Sequence, residues 1–436
     1  MTSVCRIAFI LFACVSLSAA DEEVTRAFTG AKIFPITGDP IESGTLIVRG
    51  STIVAVGKDD ATEVPDGAEA IDVSGKVIMP GLICTHSHIG QVSAGDSSAP
   101  IQPDVRVLDS INVRDASVRK ARAGGLTTVN IMSGSGHLLS GQTIYLKLRM
   151  GDTVEDLMIL DANGKPQGGI KMANGTNSIK AAPFPGTRGK SAALVREQYI
   201  KAQAYQKKLA AAKDDPDKAP ERDLAMEALV EVLEGKRVVH HHTHRHDDIL
   251  TVLRLREEFG FRLVLHHVSE AWKVAPQIAA ANVPCSIILL DSPGGKLEAR
   301  DIDWRNGAEL EKLGVVTSFH TDDPINDSRW FLRSGGFAVR AGMSRHGALY
   351  ALTMAGAIQL DMEERVGSLS VGKDADFIIL SGDPLSVYSR VEETWIEGER
   401  VFNLADPEDR LFAVGGEGAG SPRRLTNMCC FDFPIK

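Results

Sequence analysis

Lys76-Val77-Ile78-Met79-Pro80-Gly81-Leu82-Ile83-Cys84-Thr85-His86-Ser87-His88 is an apolar run that closes on two histidines with one residue between them. In an extended strand alternate side chains share a face, so both imidazoles point one way and Ser87 points the other. Two neutral imidazoles spaced about 7 Å along a strand end can chelate one metal ion. His-x-His alone is a weak signal, and its meaning depends on what the rest of the chain supplies.

On the N-terminal side, 31–34, 44–49, 51–56 and 70–73 read as short strands punctuated by Gly and Pro, the pattern of antiparallel β-structure. A matching block, 376–380, 391–396 and 400–402, lies near the other end. Neither block has enough strands to close a sheet, so together they are expected to build one small β-sandwich from 21–76 and 368–412. Between them, strand candidates at 127–132, 169–172, 237–242, 262–267, 285–290 and 315–320 alternate with helical stretches such as 247–259 and 274–281. That alternation marks parallel α/β architecture, and residues 77–367 suit a (β/α)8 TIM-like barrel of typically about 250 residues. Residues 176–235, where Pro183, Pro185 and Gly186 precede two helical stretches, read as a helical insertion on a barrel loop, and 413–436 as a tail.

With 436 residues the chain exceeds the ~250–300 over which one core usually grows, in keeping with a large domain plus a small one. Hydrophobic content of 43% and charged content of 24% are those of an ordinary globular protein. A net charge of −9 disfavours nucleic acid as a partner and says little about the expected small-molecule substrate. Arg6, the apolar stretch 7–17 and Ser18-Ala19-Ala20 ahead of Asp21-Glu22-Glu23 describe a secretory signal peptide over residues 1–20, with cleavage near Ala20. The expected location is therefore periplasmic or secreted, without stable membrane insertion after cleavage. Cys84 and Cys285 sit in apolar runs and read as buried thiols, and vicinal Cys429-Cys430 do not make a disulfide framework.

His240-His241-His242-Thr243-His244-Arg245-His246 follows the apolar Arg237-Val238-Val239, and alternation puts His240, His242 and His244 on one face. Phe261-Arg262-Leu263-Val264-Leu265-His266-His267 ends the next strand; adjacent residues face opposite sides, so at most one of its histidines is expected to point inward. Gly314-Val315-Val316-Thr317-Ser318-Phe319-His320-Thr321-Asp322-Asp323 ends in acidic residues, of which one can cap the following helix while the other serves a metal. All three strand ends fall at the C-terminal rim where barrel enzymes keep their chemistry. Nitrogen and oxygen donors of this kind suit Zn2+, with other divalent metals admitted. The glycine-rich 133–142 is not followed by Gly-Lys-Ser/Thr, so it reads as a rim loop on which His137 and Gln142 are candidates to touch substrate.

This order of residues resembles the metal-dependent amidohydrolase superfamily, in its imidazolonepropionase-like and dipeptidase-like branch. The resemblance runs from Val77–His88, with Cys84 where the family commonly has Asp, to Arg365-Val366-Gly367-Ser368-Leu369, which with Gly372-Lys373-Asp374-Ala375-Asp376 resembles the return into the sandwich. It implies His86 and His88 as first-strand ligands, His242 (alternatively His244) on the fifth strand and His267 on the sixth. Asp322 is implied as metal ligand and general acid/base. Lys171, in Ile170-Lys171-Met172-Ala173-Asn174-Gly175, is implied as a carbamylated lysine bridging two ions, with Lys147 the alternative; an unmodified lysine leaves one ion. The implied activity is hydrolysis of a C–N bond in an amide, dipeptide-like or cyclic amide substrate by metal-activated hydroxide, with His267 or a neighbour steadying oxyanion charge. A deaminase or lactonase on the same scaffold, or a non-catalytic metal-binding relative, is the alternative. Relatives are commonly dimers or larger, which leaves a homo-oligomer open, and 176–235 with 292–305 are the expected seat of specificity. For the export signal, the mature protein recovered from an exporting host is expected to begin near Asp21, and intact-mass analysis showing retained Met1 to Ala20 contradicts it.

Overall fold

The computed structural model describes residues 23–415, apart from 93–94, 97, 214, 216, 218 and 291–295. The expected signal peptide, Cys5, Cys14, Cys429, Cys430 and most of the expected tail lie outside the described residues. In chain order the strands are β1 (Thr25–Ile33), β2 (Ile41–Arg49), β3 (Thr52–Lys58), β4 (Glu69–Asp72), β5 (Val77–Pro80), β6 (Leu82–Ser87), β7 (Leu126–Ile131), β8 (Leu139–Gln142), β9 (Ile144–Lys147), β10 (Ile170–Ala173), β11 (Val239–Thr243), β12 (Leu263–His267), β13 (Cys285–Ile287), β14 (Thr317–Phe319), β15 (Phe377–Leu380), β16 (Val391–Ile396) and β17 (Glu399–Asn403).

The two ends of the chain do share one sheet. Its order is β17-β16-β15-β5-β1-β2-β3, with β4 also paired to β1. Hydrogen bonding runs through it as a single eight-stranded sheet. Register shifts at Phe28/Ala31 and Ala31/Ile33 bend β1, so one edge serves β4 along Arg26–Thr29 and β5 at Lys32 and Ile33. Phe28, Phe377 and Trp395 pack inside it with ring centroids 5.0–5.6 Å apart.

The run Lys76–Thr85 divides between two sheets. Val77–Pro80 pairs with β15 and β1, so the composite sheet reaches four residues beyond the expected boundary at 76, while Leu82–Ser87 pairs in parallel with β7. Pro80 has no N–H to continue a ladder, and at Gly81 a Cβ would stand 2.2 Å from the Thr127 side chain. The remaining strands form a six-stranded sheet, β14-β13-β12-β11-β10-β8, and a three-stranded one, β6-β7-β9. β10 to β14 are mutually parallel, and β8 and β9 run against their neighbours. Within 176–235 lie helices Arg188–Ala211 and Leu224–Leu233, capped by the Thr187 and Asp223 side chains.

Lys147 locks these sheets to the composite one. Its side chain is fully buried at the end of β9, and Nζ lies 2.6 Å from Asp374, 3.1 Å from Asp376 and 3.1 Å from Glu397. Arg149 Nε donates to Glu397 at 2.6 Å. Burial by itself raises the Glu397 carboxyl, but Arg149 and Lys147 outweigh it and hold the group down at about 2. A depressed carboxyl stabilises the fold above its unfolded value of 4.5, and that contribution is lost as pH falls from 4.5 toward about 2. Lys147→Met strands three carboxylates and is expected to cost ~3–5 kcal/mol at neutral pH in urea unfolding. It should also flatten the acid limb of the stability profile; an unchanged profile rejects this lock.

Candidate metal centre

Ordinary strand geometry carries most of the site's side chains, and three left-handed residues redirect the rest. His240 and His242 share the inner face of β11, and His242 is in register with His266 on β12. Alternation would then turn His267 outward. Instead His267 has φ +68°, Val268 φ +40° and Asp322 φ +53°. These conformations are rare outside glycine and cluster at functional sites. As a result both histidines of the doublet lie inside, against the expectation of one: the rings of His266 and His267 sit 5.1 and 4.9 Å from that of His86.

Around Asp322 the contacts call for a shared proton or a metal ion. His88 Nδ1 donates to the Met132 carbonyl at 2.6 Å, which fixes its proton there. The Nε2 lone pair of a neutral His88 then faces Asp322 Oδ1 at 2.9 Å, and His86 Nε2 lies 3.3 Å from the same oxygen. Lone pair against carboxylate is unfavourable unless a proton or a metal ion lies between. Burial works to raise the Asp322 carboxyl, and a proton shared with His88 more than offsets it, keeping the group below its usual range. Asp323 turns away and accepts from Ser328 N and Oγ, each at 2.8 Å.

A second group stands beside it. One nitrogen each from His242, His244 and His267 lie within 4.8 Å of one another, as do atoms of His86, His88 and Asp322, and of His86, His267 and His320. Burial pushes His86, His242 and His267 far below the ordinary imidazole value, His244 to about 4 and His320 to about 3, so all are neutral, as ligands must be. His242 Nδ1, His244 Nε2 and His267 Nε2 are buried without a hydrogen-bond partner. Such orphaned lone pairs converging from three imidazoles fit a divalent ion.

Lys171, on β10, is fully buried, and its Nζ donates to His86 Nε2 at 3.1 Å and to Met132 Sδ at 3.2 Å. Burial, against the pull of Asp322, brings its ammonium down to about 7, so a neutral amine is accessible. Lys147, the alternative, is committed to Asp374, Asp376 and Glu397 and does not reach the site. Cys84, beneath the ligands, donates from Sγ to the His86 carbonyl at 3.2 Å, and burial raises its thiol to about 11.

Sequence reasoning missed His320, whose Nε2 lies 3.1 Å from His267 Nδ1 and whose Nδ1 lies 2.7 Å from Ser286 Oγ. The two-residue step from His320 to Asp322 repeats that of His86 to His88 and was the available signal. Asn177, 3.2 Å from His242 Nε2, was also unmarked. It is placed by Gly175 (φ +75°), where a Cβ would stand 2.2 Å from Glu298 Oε1. His137 is buried, its ring 5.8 Å from that of Phe184. Gln142 is not at the rim: it pairs with Ile170 at the start of β10 and donates to the Pro103 carbonyl at 3.2 Å. The antiparallel run of β8 carries it away from His137.

Comparison with known proteins identifies the family. The amidohydrolase family model matches residues 231–402. The crystal structure of an amidohydrolase from Thermotoga maritima MSB8 is 34% identical and superposes over 86% of this chain and 99% of its own, with a TM-score of 0.81. The chain belongs to the amidohydrolase family, whose members are typically metal-dependent. The amidohydrolase tasK of Hapsidospora irregularis is 26% identical over 82% of this chain, which spans only 40% of that longer protein. The imidazolonepropionase of Symbiobacterium thermophilum is 24% identical over 78% of this chain and 84% of its own.

Ion binding to the native state alone raises stability by about 2.7 kcal/mol at a hundred times Kd. Zinc, cobalt or manganese is therefore expected to raise the melting temperature of chelator-treated protein, and Asp322→Asn to reduce the rise. Identical melting curves with and without all three metals contradict the fit.

Proposed function

We propose that this protein is an exported metal-dependent hydrolase that cleaves a C–N bond in an amide, dipeptide-like or cyclic amide substrate. The observation that carries the reading is His88 Nε2 facing Asp322 Oδ1 at 2.9 Å with its proton committed to Met132. We read β6, β7, the run β9–β8 and β10 to β14 as the staves of one barrel. Supporting this, Asp322 N donates to the His86 carbonyl at 3.0 Å, which joins the β14 end to β6. The export part rests on residues 1–20 and their composition.

His86, His88 and Asp322 would hold one ion, and His242 and His267 a second, with Lys171 between the groups. When bound, a divalent ion supplies Lewis acidity toward a carbonyl and acidifies water to a pKa of about 7. Asp322 is ionised, so a carboxylate oxygen takes a proton from water and passes it to the leaving nitrogen. Its left-handed backbone aims the carboxylate at the two first-strand histidines. The two roles expected of His267 exclude each other at Nε2: a lone pair there serves a cation, and only an N–H could serve an oxyanion. A bound cation selects the lone pair, with the proton on Nδ1 facing His320. We therefore assign His267 to metal holding and not to oxyanion stabilisation.

Stringent chelation is expected to abolish hydrolysis of dipeptides, N-acyl amino acids or cyclic amides, and zinc to restore it. Asp322→Asn should lower kcat by about 10²–10⁴-fold in a protein that stays folded by circular dichroism. Turnover that survives chelation, or Asp322→Asn with near-native kcat, rejects the reading.

A further inference from the structure

We propose that His242, His244 and His267 form a complete three-imidazole metal site that holds its ion without a carbamate on Lys171. The inference rests on the reading of the chain as a metal-dependent hydrolase, and it makes His242 and His244 joint ligands instead of alternatives.

The backbone brings the three rings together in two ways. His242 and His244 stand two residues apart across the end of β11, on one face. His267 ends the neighbouring strand, where its left-handed φ of +68° turns its ring inward. Ring centroids are 4.6 Å apart for His242 and His244, 4.3 Å for His242 and His267, and 5.1 Å for His244 and His267. One nitrogen of each lies within 4.8 Å of the other two.

Each ring is also pinned from behind. His244 Nδ1 donates to Ser269 Oγ at 2.7 Å, leaving a lone pair on Nε2. A relay runs from His267 Nδ1 to His320 Nε2 at 3.1 Å, from His320 Nδ1 to Ser286 Oγ at 2.7 Å, and from Ser286 Oγ to Thr85 Oγ1 at 2.6 Å. With each group donating to the next, it leaves a lone pair on His267 Nε2. Asn177 meets His242 Nε2 at 3.2 Å, and with its amide oxygen toward the ring it accepts the Nε2 proton and frees Nδ1. The nitrogens opposite these three anchors are the buried ones without partners: His242 Nδ1, His244 Nε2 and His267 Nε2. Metal-binding histidines are oriented in this way, through the other ring nitrogen. Three neutral imidazoles with one open position also match a common catalytic zinc set. Lys171 is in contact with His86 Nε2 and Met132 Sδ.

The test measures metal content. Wild type, Lys171→Met, His244→Gln and the double variant are loaded with zinc, desalted and assayed for zinc per chain, and the cobalt(II) forms are compared by visible spectra. Lys171→Met is expected to keep one ion per chain, with a spectrum lost in the double variant. Ser269→Ala, a milder change that removes only the His244 anchor, should weaken that ion's affinity on the order of 10–100-fold; it also decides the matter if His244→Gln fails to fold. Lys171→Met devoid of metal, or His244→Gln and Ser269→Ala binding as tightly as wild type, overturns the three-imidazole site while leaving the hydrolase reading intact. Wild type that binds no ion and turns over after chelation removes both.

Discussion

Imidazole nitrogens buried against a carboxylate, with a proton or a metal ion needed between them, set the terms for this molecule. His88 has given its proton to Met132, His244 can give one to Ser269, and His267 one to His320. What remains is two sets of inward nitrogens, one against Asp322 and one formed by His242, His244 and His267. Each unsatisfied buried polar group costs about 1–3 kcal/mol, so their convergence is unfavourable until a cation joins them. The strand ends, the left-handed turns at His267 and Asp322 and the anchoring hydroxyls all serve that convergence.

Holding such a centre needs a rigid rear wall, and the composite sheet supplies part of it. β5 and β6 are consecutive, parted only by Gly81, so the first ligand strand grows directly out of the sheet built from both chain ends. Lys147 ties β9 to Asp374, Asp376 and Glu397 from the C-terminal half. Thr394 adds a bond to the Arg122 carbonyl at 2.8 Å. Distant segments thereby fix where His86 and His88 stand, and the lysine that the sequence offered as a second carbamate candidate is instead a structural ion-pair partner.

Much of this was legible in residue order. Alternating strand and helix patterns located the segments that end at His242, His267 and Asp322, and two terminal β-blocks too small to stand alone implied a small β-sandwich from both chain ends, whose strands lie in one eight-stranded sheet. Less legible was anything that departs from period-two alternation. The split of 76–85 at Pro80-Gly81 depends on how closely Thr127 approaches. The inward turn of both His266 and His267 depends on a positive φ at a residue type that rarely adopts one. The antiparallel course of β8 put Gln142 at the far end of β10 from His137.

The sequence by itself located the histidine-bearing strand ends and their order and, through a resemblance, the family to which the chain belongs, because strand periodicity and motif order are local properties. Tertiary structure alone decided which nitrogen of each ring is left bare, which lysine enters the site and that His320 stands behind His267. Those depend on what the far side of every side chain touches: Met132, Ser269, Ser286 and Asn177 come from other loops and strands, and no spacing in the sequence places them.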